Sequence, residues 1–179
     1  LVGAQDELIF DGQSLAVNST GELIGLGAIF SEEIVYVDTD TDRRILLPVD
    51  NREGELYAGL VLGVRDYFKK TGHKEAVIGL SGGIDSSLVA CIAADALGTE
   101  YVHGVSMPSL FSSDHSKDDA LQLAENLGFD FRSITIQGIV SEYEHTLGPH
   151  FDDAERNVAE ENIQARARGN LLMALSNKF

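Results

Sequence analysis

Ser81, Gly82, Gly83, Asp85, Ser86 and Ser87 stand within seven positions of one another, and the chemistry they suit is the binding of an anion. Glycines at such a turn let backbone N–H groups approach a ligand with no Cβ in the way. The three serine hydroxyls add further donors. An apolar run (Val77, Ile78, Leu80) stops abruptly at this group, and an apolar helical pattern (Leu88, Val89, Ile92, Ala93, Ala96) begins at once. The order is buried strand, glycine turn, helix N-terminus. Converging amides and the positive helix end favour a phosphate or pyrophosphate. A carboxylate beside such a nest repels the anion unless a cation intervenes, so Asp85 reads as a Mg²⁺ ligand. A serine- and glycine-rich turn with no ligand is the plain alternative. No Gly-Lys-Ser/Thr follows the glycines, which excludes a Walker loop.

The elements that must position this turn follow from the pattern on either side. From Lys74 onward, strands and helices alternate: strand Val77 to Leu80, helix Ser86 to Leu97, strand Tyr101 to Ser106, a loop over 107–113, helix Asp114 to Leu127, strand Phe131 to Ile136. Gln137 to Leu147 and Asp153 to Lys178 read as further helices. This order predicts an α/β fold with a doubly wound parallel sheet. Such sheets bind ligands at the carboxyl ends of their strands, where Ser81-Gly82-Gly83 and Met107-Pro108-Ser109 belong. Ahead of it, residues 1–48 read as β structure, with strands at Glu7 to Phe10, Ser14 to Val17, Leu23 to Leu26 and Glu32 to Val37 and no helix of their own to cover them. Asn18-Ser19-Thr20-Gly21 predicts a hairpin turn. Residues 49–73 form a connecting segment with an amphipathic helix from Asn51 to Lys70, its stripe made of Leu56, Leu60, Val64 and Phe68 and widened by Tyr57 and Val61. The third segment is 74–179.

Composition sets outer limits. Hydrophobic content of 44% and charged content of 23% describe a globular protein able to build a core. No apolar stretch approaches the ~18 residues of a membrane span, and no signal-like leader opens the chain. Twenty-nine acidic residues against 13 basic ones leave a net charge of −16, which weighs against nucleic acid as a partner. The single cysteine, Cys91, excludes an internal disulfide framework or a cysteine zinc cluster. It reads as a small core hydrophobe on the helix after the glycine turn. His103 and His115 read as structural. A cytoplasmic location fits. A start at Leu1 and an end inside a helical pattern lead us to expect a piece of a longer polypeptide.

Ser-Gly-Gly-X-Asp-Ser-Ser resembles the pyrophosphate loop of ATP pyrophosphatases, which cleave ATP to AMP and pyrophosphate. Three further blocks narrow the likeness. Val105 to Ser109 with Ser112 to Ser116 is similar to the second nucleotide-site strand and loop of NAD synthetases. Glu160 to Lys178 resembles a signature helix of that family. Gly3 to Ser14 is similar to the final strands of the nitrilase-like glutaminase domain that precedes the synthetase domain in glutamine-dependent members.

The resemblance implies an adenine nucleotide alpha-hydrolase-like fold behind a nitrilase-like tail. The implied reaction is amidation of deamido-NAD to NAD through an adenylated carboxylate, with ATP and Mg²⁺ consumed or required and ammonia drawn from glutamine. Gly79, Leu80, Ser81, Gly82, Gly83, Ile84, Asp85, Ser86 and Ser87 would hold ATP, with Val105 and Met107 at its adenine. Asn162 and Arg166, one helical turn apart, would contact deamido-NAD. Those two and Asn170 could equally be a solvated stripe opposite Ile163, Ala167 and Leu171. Ser113, Asp114 and Ser116 could cap the helix entering at Lys117, with or without touching phosphate. The family also implies a homo-oligomer for the full-length protein, and a fragment inactive alone, because the glutaminase nucleophile and later nucleotide contacts lie elsewhere. Another pyrophosphate-loop ligase, of the GMP or asparagine synthetase kind, and a non-catalytic adenine-nucleotide sensor remain alternatives.

Overall fold

The computed structural model describes residues 1–40, 44–48, 51–110, 112–151 and 155–178. The chain divides into two compact units, Leu1–His73 and Lys74–Phe179. No described helix is long and apolar enough to cross a membrane.

In the first unit, β1 (Val2–Gln5) and β2 (Leu8–Asp11) form an antiparallel hairpin closed at Gln5 and Leu8. A second hairpin joins β3 (Leu15–Val17) to β4 (Leu23–Leu26). Its turn is built as the sequence predicts: Asn18 Oδ1 accepts from the amides of Thr20 at 3.0 Å and Glu22 at 2.8 Å. The expected strand at Glu32 to Val37 does not form. Its side chains do alternate, with Val35 and Val37 over Gly25 while Ile34 and Tyr36 are far more exposed, but among the described residues no neighbouring strand completes a ladder.

Helix α1 (Arg52–Thr71) starts at Asn51, whose side chain accepts from the Gly54 amide, and stops at left-handed Gly72. It packs on the first hairpin, so the strands do have a helical cover: Asp66 Oδ2 accepts from the Ala4 amide at 2.8 Å. The expected stripe is met in part: Val61 is buried and Tyr57, Val64 and Phe68 are half-buried. Gly59, Val61 and Leu62 are buried, whereas Leu56 and Leu60 are exposed. The helix docks on its glycines because the ring of Phe30 lies against Gly59 and Ile9 against Gly63, approaches that larger residues would block.

The second unit is an α/β layer structure. Parallel strands β5 (Ala76–Leu80), β6 (Val102–Ser106) and β7 (Asp130–Ser133) lie in that order. Helices α2 (Ile84–Leu97) and α3 (Asp114–Leu127) cover one face, closing a core of Leu80, Ala90, Ala93, Val102, Ala120, Ala124 and Phe129. On the other face, α4 (Gln137–Leu147) and α5 (Val158–Lys178) pack Val140, Leu171, Leu172 and Leu175 against Val77, Val105 and Ile136. Period-two alternation explains the split: Ile78 and Leu80 face one layer, Val77 and Gly79 the other. β7 is shorter than expected, although Ile134 and Ile136 continue to donate to the carbonyls of Ser106 and Pro108. The expected start of the last helix at Asp153 lies outside the described residues. Its observed N-terminus is a reciprocal cap: Asn157 Oδ1 accepts from the Ala159 amide and Glu160 from the Asn157 amide.

Candidate functional site

A cleft of about 520 Å³ opens at the carboxyl ends of β5 and β6. Its walls include Gly79, Leu80 and Ser81 from β5 and its turn, Ser106, Met107 and Pro108 from β6 and its loop, and Ser112, Ser116 and Lys117 at the start of α3. Ala165, Arg168, Gly169 and Leu172 of α5 close it.

The turn after β5 is a hydroxyl-lined amide nest. The Ser81 amide donates to Ser86 Oγ at 3.3 Å, and the Gly83 amide donates to Ser81 Oγ at 3.2 Å. Ser81 and Ser86 hydroxyls lie 3.0 Å apart, and the hydroxyls of Ser86 and Ser87 donate to the Gly83 carbonyl. The partners of these amides are thus rotatable hydroxyls rather than carbonyls, and an incoming anion can displace them. Gly83 caps α2 in extended conformation, with no side-chain cap, and the first turn of α2 has no acceptors within the helix for its own amides.

Gly82 does two things at once. Its φ of 77° is left-handed, and a Cβ there would lie 2.6 Å from the Cα of Ser116 and closer still to its carbonyl oxygen. The first turns of α2 and α3 therefore touch at this point, bringing two positive helix ends to one side of the cleft. Ser113 caps α3, its hydroxyl accepting from the Ser116 amide at 3.2 Å. Capping and a position beside the nest coexist.

The remaining sequence-derived candidates distribute as follows. Asp85 and Ile84 are exposed in the first turn of α2. Met107 lines the cleft, while Val105 is buried beneath it with Ile136 and Val140. Asn162 and Arg166 come together on α5, Arg166 Nη1 donating to Asn162 Oδ1 at 3.2 Å, but both are exposed and neither lines this cleft. Cys91 is a half-buried free thiol on α2. His103 sits at the opposite end of the sheet, its ring nitrogens 2.9 Å from Glu75 and 3.1 Å from Asp130.

Sequence reasoning missed Lys117 and Arg168, the two cations of the cleft wall. Lys117 also pairs with Asp114 at 3.0 Å, and Arg168 Nε donates to the Met107 carbonyl at 3.1 Å. The signal for Arg168 was its place beside Ala167, the buried residue of α5, in contrast to Arg166 on the solvent side.

A single carboxylate marks the metal question. Among the described residues no three His, Cys, Asp or Glu side chains gather as a metal cage. One carboxylate beside an amide nest still fits Mg²⁺, which keeps several waters and is bound through one or two carboxylates plus substrate phosphates.

Comparison with known proteins places the cleft in context. The family NAD synthase matches residues 56–179. The glutamine-dependent NAD(+) synthetase of Synechocystis sp. is 52% identical over 185 residues, covering 99% of this chain and 33% of its own length. The structure of glutamine-dependent NAD+ synthetase from Acinetobacter baumannii, in complex with adenosine diphosphate, matches with a TM-score of 0.93 at 43% identity, over 99% of this chain and 35% of that one. The NH3-dependent NAD synthetase from Campylobacter jejuni, in complex with the nitrate ion, matches 72% of this chain and 53% of its own at 29% identity, with a TM-score of 0.63. The chain spans about a third of the length of the curated relatives it matches.

Proposed function

Because the chain belongs to the NAD synthase family, we propose that it carries the ATP-binding part of a glutamine-dependent NAD synthetase. The full-length protein amidates deamido-NAD to NAD, consuming ATP, releasing AMP and pyrophosphate, and drawing ammonia from glutamine. The glutamine-dependent relative matches 99% of this chain and the ammonia-dependent one 72%, which favours the glutamine-dependent architecture. On this reading residues 1–48 are the last strands of a nitrilase-like glutaminase domain, 49–73 connect it, and 74–179 begin the synthetase domain. The protein is cytoplasmic and homo-oligomeric, and the chain alone is inactive.

The observation that carries the proposal is the amide nest from Ser81 to Ser87 at the mouth of a cleft large enough for a nucleotide. Gly79 to Ser87 hold the triphosphate, with Met107, and Val105 from beneath, at the base. A free carboxylate resists ammonia because it is anionic and lacks a leaving group. Its oxygen attacks the α-phosphorus of ATP, and the bond to pyrophosphate breaks. Ammonia then adds to the adenylated carbonyl carbon, loses a proton, and expels AMP. The protein's share is placement and charge neutralisation. Backbone amides of α2, and Lys117 beside them, meet the charge that builds on the departing diphosphate. Asp85 would hold Mg²⁺, which supplies further neutralisation of phosphate charge. Asn162 and Arg166 present a hydrogen-bonding fork for deamido-NAD on the exposed side of α5.

The test is pyrophosphate release by the full-length protein, with NAD measured in parallel. Release that requires both ATP and deamido-NAD, matched one to one by NAD, is expected. Release independent of deamido-NAD, or ATP binding with no release, would overturn the proposal and favour another ligase or a sensor.

A further inference from the structure

Three consecutive carbonyls at the end of β6 are held differently. Those of Ser106 and Pro108 accept from the backbone amides of Ile134 at 2.8 Å and Ile136 at 3.0 Å. The carbonyl of Met107, between them, accepts from a side chain, Arg168 Nε, at 3.1 Å. Arg168 and Met107 are 61 residues apart, on different elements, and both line the cleft. The same two elements close over Gly79, where a Cβ would lie 3.2 Å from both Met107 Cε and Leu172 Cδ1.

A carbonyl oxygen has two lone pairs. With one engaged by a guanidinium on α5, the direction of the other is fixed. We infer that Arg168 is a positioning residue: it clamps the Met107 carbonyl as the acceptor that selects a nucleotide base with an exocyclic amine over one with an oxo group. The inference rests on the ATP reading of this cleft given above. Arginine suits the task because it stays charged and its planar donors hold one orientation, whereas a lysine ammonium rotates and lies at a different reach. An acceptor held in place discriminates because an oxo group set against it leaves two acceptors facing each other.

The experiment compares wild type, Arg168→Met and Arg168→Lys in the full-length protein. KM for ATP, GTP and deamido-NAD, kcat, and the urea unfolding midpoint are measured. Arg168→Met is expected to raise the ATP KM about tenfold and to cut the ATP-over-GTP preference by about tenfold. Its kcat should stay within about twofold, its deamido-NAD KM should be unchanged, and Arg168→Lys should recover part of the preference. An unchanged ATP-over-GTP preference in Arg168→Met overturns the inference while leaving the ATP reading intact. So does a lower kcat with both KM values raised alongside a lower unfolding midpoint, which marks a merely structural role. A rise confined to the deamido-NAD KM makes Arg168 a substrate contact and likewise overturns it. A wild type that uses no purine triphosphate removes the underlying reading and the inference with it.

Discussion

The two ends of the β5–β6–β7 sheet handle polar groups in opposite ways. At the amino end, Glu75, His103, Asp130 and Arg132 satisfy one another side chain to side chain, at 2.9 to 3.2 Å. The hydrogen bond from His103, and after it the Arg132 guanidinium, holds the Asp130 carboxyl below its ordinary value. At the carboxyl end, the amides of Ser81 and Gly83 meet rotatable serine hydroxyls, and two helix N-termini converge at Gly82. One end is a partly exposed network in which the chain's own charges pair with one another. On the proposed reading, the other is arranged for a ligand's phosphates, beside Asp85 and Asp114 in the first turns of its two helices. Closed polar networks contribute modest stability at an exposed surface, whereas donors left for a ligand serve binding and catalysis.

The contrast breaks most severely at Gly82. Gly82→Ala must leave the left-handed region or push Ser116 away, at a cost of more than about 2 kcal/mol. Urea unfolding should show that loss, and pyrophosphate release should fall below detection. Asp85→Asn comes next. The side chain is exposed, so the unfolding midpoint should be unchanged, while Mg²⁺-dependent turnover drops on the order of 100-fold. A turnover within twofold of wild type would refute the proposed role of Asp85 in holding Mg²⁺.

Ser86→Ala sharpens the comparison. It removes a hydroxyl donor from the nest, and roughly 1 kcal/mol of nucleotide affinity should go with it, read as a several-fold rise in the ATP dissociation constant. The smallest effect belongs to the other end of the sheet. Asp130→Asn should cost about 0.5 kcal/mol at neutral pH, after solvent screening, with ATP affinity unchanged. Its pH dependence has a definite sign. A carboxyl with a depressed folded-state pKa contributes stability above its ordinary range and loses it as pH falls through the lowered value. The gap between wild type and Asp130→Asn should therefore close on acidification, and a gap that widens would contradict the network.

How much of this was legible beforehand depended on whether the cause was local. The run from Val77 to Leu97 betrays its strand, turn and helix because propensity, glycine placement and hydrophobic pattern agree over a few residues. Helix α3 begins at Asp114 and ends at Leu127 as its cap and glycine dictate. Glu32 to Val37 has the alternation of a strand yet pairs with no strand among the described residues, since pairing is set by a partner distant in sequence. In α1 two overlapping apolar stripes compete, and the choice fell to the face whose glycines admit Phe30 and Ile9. Lys117 and Arg168 escaped notice for a related reason: spacing shows that a residue is on a helix, but which flank meets a cleft is a tertiary fact.

The measurement that bears most directly on the amide nest is hydrogen exchange of the full-length protein with and without ATP and Mg²⁺. Saturating nucleotide should slow exchange in peptides covering residues 81–87 and 112–117, with the amino-end network around His103 unchanged. Tight ATP binding with no change at 81–87 would mean that the nucleotide's phosphates are gripped somewhere else.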